Sequence, residues 1–477
     1  MHFQPGDRIP ARLRLWSLSE DVLVEVGPGG DQLVAVTQWG EVTIDDASPL
    51  VRESLQRMSL GPVSVQNLPV PWLRLQPVLE RLGNCVVQSL GLDDEAGPAL
   101  SVAPVSRQAR FWMPEDIDHD RPIRLSRFMT IRASYGQLLL ESPVTHHRVI
   151  LHRPMVAWLV GSLGCATTIT ELAALLKIAE PVLADMVSYL TASGMVLTGG
   201  PERPLRFAED DDPDLVLWSP HDLLFHARSR MGRHNGHAGA VFPYVGRLPA
   251  APGVKPVPAG RRFPLYRPPL ADLAATDPPL TEVIEARRSS GHYSERPMTA
   301  QQLGELLFRV ARIRRTTLAS AAGGASYVTS DRPYPSTANL YELELYLSLD
   351  RCAGLPRGTY HYDPREHALT LVNDSEPELS ELLDTAKISA GSTQRPPVLV
   401  TVTTRISRLS WMYSGIAYST TLKHVGALQQ TLCLVATAMG LASSALAVSG
   451  GTAADQALRL DWPAEVSVGE FVVGVRP

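Results

Sequence analysis

Residues 425–441, VGALQQTLCLVATAMGL, carry apolar side chains nearly all the way round a helix and no charge. A helix of that kind has no face to give to water and must be covered from several sides. The following ASSALAV does not extend it into a membrane span, because Gly, Ser and Thr interrupt any apolar run of about 18 residues. Residues 431–448 read instead as a buried helix followed by a strand. Strands to cover it are near: LELYLSL (343–349) and PVLVTVTT (397–404) read as buried strands, and SVGEFVVGVRP (467–477) as a closing one. LTEVIEARRSS (280–290) and TAQQLGELLFRVARI (299–313) read as helices, the second with Thr299 as its N-cap. Residues 281–477 therefore predict one domain of mixed sheet flanked by helices.

The preceding text predicts three more blocks. Residues 1–105 begin with strand-like alternation (21–44) and continue into a helical stretch (48–61). Residues 106–200 repeat that plan, with strands in 123–143 and helical spacing in 154–164, 168–178 and 181–196, where Thr168 and Pro181 suit helix starts. Both blocks are expected to be winged-helix-like, as a degenerate duplication. Residues 201–280 hold the acidic run EDDDPD, four histidines and many prolines, and predict an extended arm or linker. The class expected overall is α+β.

Charge excludes some functions. The balance of 44 basic and 49 acidic residues gives −5, and 168–196 has one lysine and no arginine. Both argue against nucleic-acid binding. Cys85, Cys165, Cys352 and Cys433 have no paired spacing, so reduced, buried, structural thiols are expected. His221, His226, His234 and His237 share no helical or strand register, and no metal is expected. The N-terminal text lacks an apolar signal region, and a cytoplasmic protein is expected.

One stretch asks for an anion. IEARRSSGHYSERPMT (284–299) sets two arginines and two serines at a helix end, where Arg287 can grip a phosphate and Ser289 can add a hydroxyl. R-x-S followed by RPMTAQQLGELL resembles the first flavin segment of the nitroreductase-like FMN family. RPYPSTANLYELELYL (332–347) resembles the P-S-x-x-A-x-Y-P-x-E-x-Y segment of that family's azoline dehydrogenases. GTYHYDPREHALTLV (358–372), residues 407–441 and VSVGEFVVG (466–474) resemble its cyanobactin-oxidase and thiopeptide-dehydrogenase branch, called SagB-type.

The resemblance implies FMN bound between two chains of a homodimer. Arg287, Arg288, Ser289 and Arg476 would hold the phosphate, and Ser336, Thr337 and Asn339 would come from the other subunit. Gln430 would lie on the central helix, with Ser449 and Gly450 near the flavin's redox edge. It also implies oxidation of thiazolines or oxazolines to thiazoles or oxazoles on a leader-bearing precursor peptide, beside a cyclodehydratase. The family's Lys-Tyr pair is Met412-Tyr413 here. Methionine cannot take a proton, which leaves Tyr413 as the acid/base candidate and Lys423 as the nearest lysine in sequence. Gly291 stands where the family prefers Arg or Lys. Two alternatives follow: a catalytically degenerate dimeric scaffold that binds peptide or a synthetase, and a flavin oxidoreductase of another substrate.

Overall fold

A computed structural model describes residues 9–477 except 28–31, 46, 115, 135, 201–204, 235, 237–238, 322 and 448–450. The chain divides into two compact units, 1–236 and 237–477.

The N-terminal unit is built on a seven-stranded antiparallel sheet. Its order is Val63–Ser64, Arg12–Leu18, Val86–Leu92, Pro98–Pro104, His147–Leu151, Gln137–Glu141, Thr130–Ser134. The boundary expected at 105/106 falls inside this sheet, because Pro98–Pro104 pairs with His147–Leu151. The physical reason is burial on both sides: Leu100 and Val102 join Val149, Leu151 and the helices that follow in one core. Those helices are Pro154–Ser162, Ile169–Leu176 and Glu180–Ala192, and Thr168 opens the second through a reciprocal capping box with Glu171. Among its described residues the first half has two α-helices, Pro49–Leu60 and Trp72–Arg81, against three in the second. The unit also takes in residues up to 236, beyond the boundary expected at 200.

Among the described residues no group of three His, Cys, Asp or Glu could hold a metal, and no helix is long and apolar enough to cross a membrane. The cysteines are free, but Cys165 is exposed rather than buried, and Cys352 and Cys433 are only partly covered.

Elements of the C-terminal unit are labelled in chain order: β1 (Arg262–Pro264), α1 (Leu280–Ala286), α2 (Ala300–Ala311), β2 (Leu343–Leu349), β3 (Gly358–Asp363), β4 (Ala368–Asn373), α3 (Glu376–Ser389), β5 (Val398–Arg405), α4 (Ala417–Ala438), β6 (Leu441–Leu446), α5 (Gly451–Ala457) and β7 (Glu465–Val475). The strands form one antiparallel sheet in the order β1-β4-β3-β2-β5-β7-β6. The expected arm 201–280 is therefore divided between the units, and its last part supplies edge strand β1.

Strand alternation decides what each sheet face covers. Leu343, Leu345 and Leu347 of β2, with Val398, Val400 and Val402 of β5, meet Leu303, Leu306 and Leu307 of α2 and Val425, Leu428, Leu432 and Ala436 of α4. Each leucine buried there contributes roughly 1.5–3 kcal/mol. Thr299 caps α2 through a box with Gln302, as its sequence position predicts. On the opposite face, Tyr346, Leu399 and Val472 meet α3 and α5.

That second face also carries buried charge. Glu344 lies 2.8 Å from Arg405 and 3.4 Å from His361, with all three side chains nearly sealed from solvent. Burial pushes the Glu344 carboxyl upward, but His361 and the Arg405 charge outweigh it and hold the carboxyl at about 2. A depressed carboxyl stabilises the fold above its unfolded value and loses that effect as pH falls through the folded value. Urea unfolding between pH 5 and pH 2 is expected to show a stability loss on the order of 3 kcal/mol that a Glu344→Gln variant lacks.

Candidate functional site

Helix α4 is the spine of the site. Its buried stripe faces the sheet, while Tyr418, Leu422, Lys423 and Gln430 are exposed. Lys423 and Gln430 are two turns apart and share one side of the helix.

At its C-terminal half α4 meets the serine- and arginine-rich stretch. α1 ends where the Arg287 N–H donates to the Val283 carbonyl at 3.0 Å. Beyond it, the Ser290 N–H donates to Ser443 O of β6 and the Ser294 N–H to Val475 O of β7, both at 3.0 Å. The segment is thus tied to two strands, and Arg287 sits near Ser289, with Nη1 to Oγ at 3.5 Å. Burial raises the Cys433 thiol of α4, and the neighbouring Arg287 charge opposes that rise. Arg476 donates through Nε to Leu441 O at 3.1 Å. Leu441 and Ser443, the two anchors on β6, are about 7 Å apart.

Among the described residues no carboxylate pairs with Arg287 or Arg476. Two guanidinium groups without a carboxylate, one bonded to β6 and the other three residues before the Ser290 N–H that bonds the same strand, stand with an exposed hydroxyl at Ser289 and are suited to an oxyanion such as a phosphate. Arg288 follows directly on the end of α1. Its Nη1 donates to the carbonyls of Glu285 and Arg287 at 2.6 and 2.8 Å, which caps the helix end.

At its N-terminal half α4 meets a strained turn. Ala338, Asn339 and Tyr341 have φ of 52, 54 and 46°. Left-handed backbone at residues other than glycine costs on the order of 1–3 kcal/mol each and persists only where surroundings impose it. Here they do. Ser336 Oγ accepts from the Tyr341 N–H at 3.0 Å, and the Tyr341 hydroxyl donates to Tyr334 O at 2.7 Å. Arg408 donates to Leu340 O through Nε and Nη2, at 3.1 and 2.6 Å. The Thr337 N–H donates to His424 Nε2 of α4 at 2.9 Å, and His424 Nδ1 is 2.7 Å from Glu342 Oε1. The turn presents Ala338 and Asn339 to solvent, with Ser336 and Thr337 partly covered.

His424 and Glu342 were not among the residues expected from sequence. The available signal was YELELYL, a buried strand with two glutamates, each of which needs a partner. Glu344 finds Arg405 and His361, and Glu342 finds His424.

Met412 is buried and its carbonyl accepts from the Phe242 N–H at 3.0 Å. Tyr413 is half-buried beside Phe242 and Tyr327. Burial raises its phenol, and Tyr327 adds to the rise. The cation that would make Tyr413 a base at neutral pH is not beside it among the described residues, so it holds its proton. Lys423 is exposed. Ser449 and Gly450 lie outside the described residues.

Comparison with known proteins finds matches to two segments of the chain. Residues 123–235 match the model of the cyanobactin oxidase ThcOx, and residues 284–475 match that of the nitroreductase family. A protein of Methanocaldococcus jannaschii, provisionally named nitroreductase MJ1384, is 26% identical over 180 residues, covering 38% of this chain and 82% of that protein. Among solved structures, a provisionally assigned nitroreductase of Ralstonia eutropha JMP134 is 20% identical, with a TM-score of 0.36, covering 48% of this chain and 99% of its own. The E. coli microcin synthetase McbBCD complex with truncated pro-MccB17 bound is 17% identical, with a TM-score of 0.33, covering 53% of this chain and 91% of its own.

Proposed function

From a chain that joins a cyanobactin oxidase segment to a nitroreductase-family segment, we propose an FMN-dependent oxidase that converts thiazolines or oxazolines in a ribosomal peptide to thiazoles or oxazoles. One observation carries the cofactor: Arg287 and Arg476 have no carboxylate partners among the described residues, and the Arg476 side chain and the Ser290 N–H bond the same strand, β6, which follows α4. The donor set fits a phosphate monoester, and Ser289 adds a hydroxyl. Bound flavin would supply a two-electron acceptor.

The chain's own residues have separate tasks. Arg287, Ser289 and Arg476 hold the phosphate. The turn with Ser336, Thr337 and Asn339, contributed across a homodimer, and Gln430 of α4 line the ring system. Tyr413, keeping its proton, donates a hydrogen bond to the azoline and makes the adjacent ring C–H more acidic. A leader-bearing precursor peptide is the substrate, a cyclodehydratase is the natural supplier of azolines, and the cytoplasm is the setting.

The test combines purified protein, added FMN and an azoline-bearing peptide, read by mass spectrometry. The expected product has lost two hydrogens per ring. An unchanged peptide mass with flavin bound would contradict the azoline chemistry. Arg287→Ala is expected to lower the retained FMN:protein ratio after dialysis by about tenfold, the effect of one lost charged contact.

A second reading, an inactive dimeric scaffold, has one observation in its favour. Met412 and Tyr413 form a segment without a proton acceptor, since Met412 is buried and the Tyr413 phenol is raised. A colourless preparation that takes up no added FMN would support it.

A further inference from the structure

We propose that Glu342 and His424 form a clamp that sets the backbone of residues 336–341 for flavin binding, with both acting as positioning residues. The inference rests on the flavin reading above and assigns a role to a buried pair which that reading does not use.

A backbone N–H can only donate. Since the Thr337 N–H points at His424 Nε2 at 2.9 Å, that nitrogen carries no hydrogen, and the imidazole proton lies on Nδ1. Nδ1 then donates to Glu342 Oε1 at 2.7 Å, and Thr337 Oγ1 also lies 2.9 Å from Nε2. The relay runs in one direction: carboxylate, imidazole, backbone. Glu342 is fully buried and His424 nearly so, which makes an unmade hydrogen bond costly at either residue. The relay grips Thr337, the first residue of a turn whose Ala338, Asn339 and Tyr341 all take left-handed φ. It ties that turn to α4, the helix whose other half contacts Arg287. Without the relay, one of the main restraints on the strained backbone is gone.

Four variants in the full-length protein separate hydrogen-bond polarity from charge: His424→Leu, His424→Gln, Glu342→Leu and Glu342→Gln. FMN affinity is read by quenching of flavin fluorescence, and ring environment by the flavin absorption envelope. Both leucine variants are expected to weaken FMN binding roughly tenfold or more and to shift the envelope. Both glutamine variants are expected within about threefold of wild type, because an amide can accept and donate along the same relay. Wild-type FMN affinity and an unshifted envelope in His424→Leu would overturn the clamp while leaving the flavin reading intact. A wild-type protein that takes up no FMN overturns the flavin reading and the clamp's purpose together. If the leucine variants fail to fold, amide-resolved hydrogen exchange of the wild type decides: slow exchange at the Thr337 amide supports the relay, and exchange at the rate of an open loop overturns it.

Discussion

Glu344→Leu is expected to destabilise the C-terminal unit by about 3–5 kcal/mol, the cost of removing one partner from a buried ion pair. The substitution leaves Arg405 without its carboxylate in a place where almost no water reaches it. Arg405 is also bound elsewhere, since its Nη1 donates to Pro252 O at 2.7 Å, so it cannot simply swing out to solvent. His361 loses its carboxylate partner as well. Combining Glu344→Leu with Arg405→Met is expected to recover a good part of the loss, because apolar groups of similar volume remove the unpaired charge. Urea unfolding of the single and double variants checks both statements. Equal destabilisation in both would mean that packing volume, rather than charge, is what Glu344 provides.

Tyr413→Phe is expected to slow peptide oxidation by about 10²-fold or more with FMN content unchanged, the range for a positioned acid/base group. The substitution keeps the ring, which packs with Phe242 and Leu409, and removes only the hydroxyl. The hydroxyl is raised by burial, so it acts as a donor, and no loss of flavin is expected with it. Single-turnover peptide mass spectrometry alongside a flavin spectrum tests this. A wild-type rate in Tyr413→Phe would remove the residue from the chemistry and leave Lys423 to be examined alone.

Much of the C-terminal fold was legible because its signals are local. The cap at Thr299 and the runs 343–349 and 397–404 each declare themselves within a few turns of chain, whereas 425–441 reads as apolar nearly all round and yet exposes Gly426 and Gln430. Other information was not local. The boundary at 105/106 dissolves because the pairing of 98–104 with 147–151 joins text more than forty residues apart. The different contacts of Arg287 and Arg288 turn on where α1 stops, since Arg288 donates to carbonyls there and Arg287 lies beside Ser289 and Cys433. Glu342 and His424 are 82 positions apart, and only the folded chain shows that they meet. The ionisation of Tyr413 was likewise out of reach, because burial and Tyr327 raise it and neither is visible in WMYSG.

Anaerobic titration of the FMN-loaded protein with an azoline-bearing peptide tests the central claim most directly. The account predicts that the oxidised flavin absorption bleaches in proportion to azole formed, and that oxygen restores it. A flavin that stays oxidised in the presence of excess azoline peptide, or a protein that takes up no flavin at all, would contradict it.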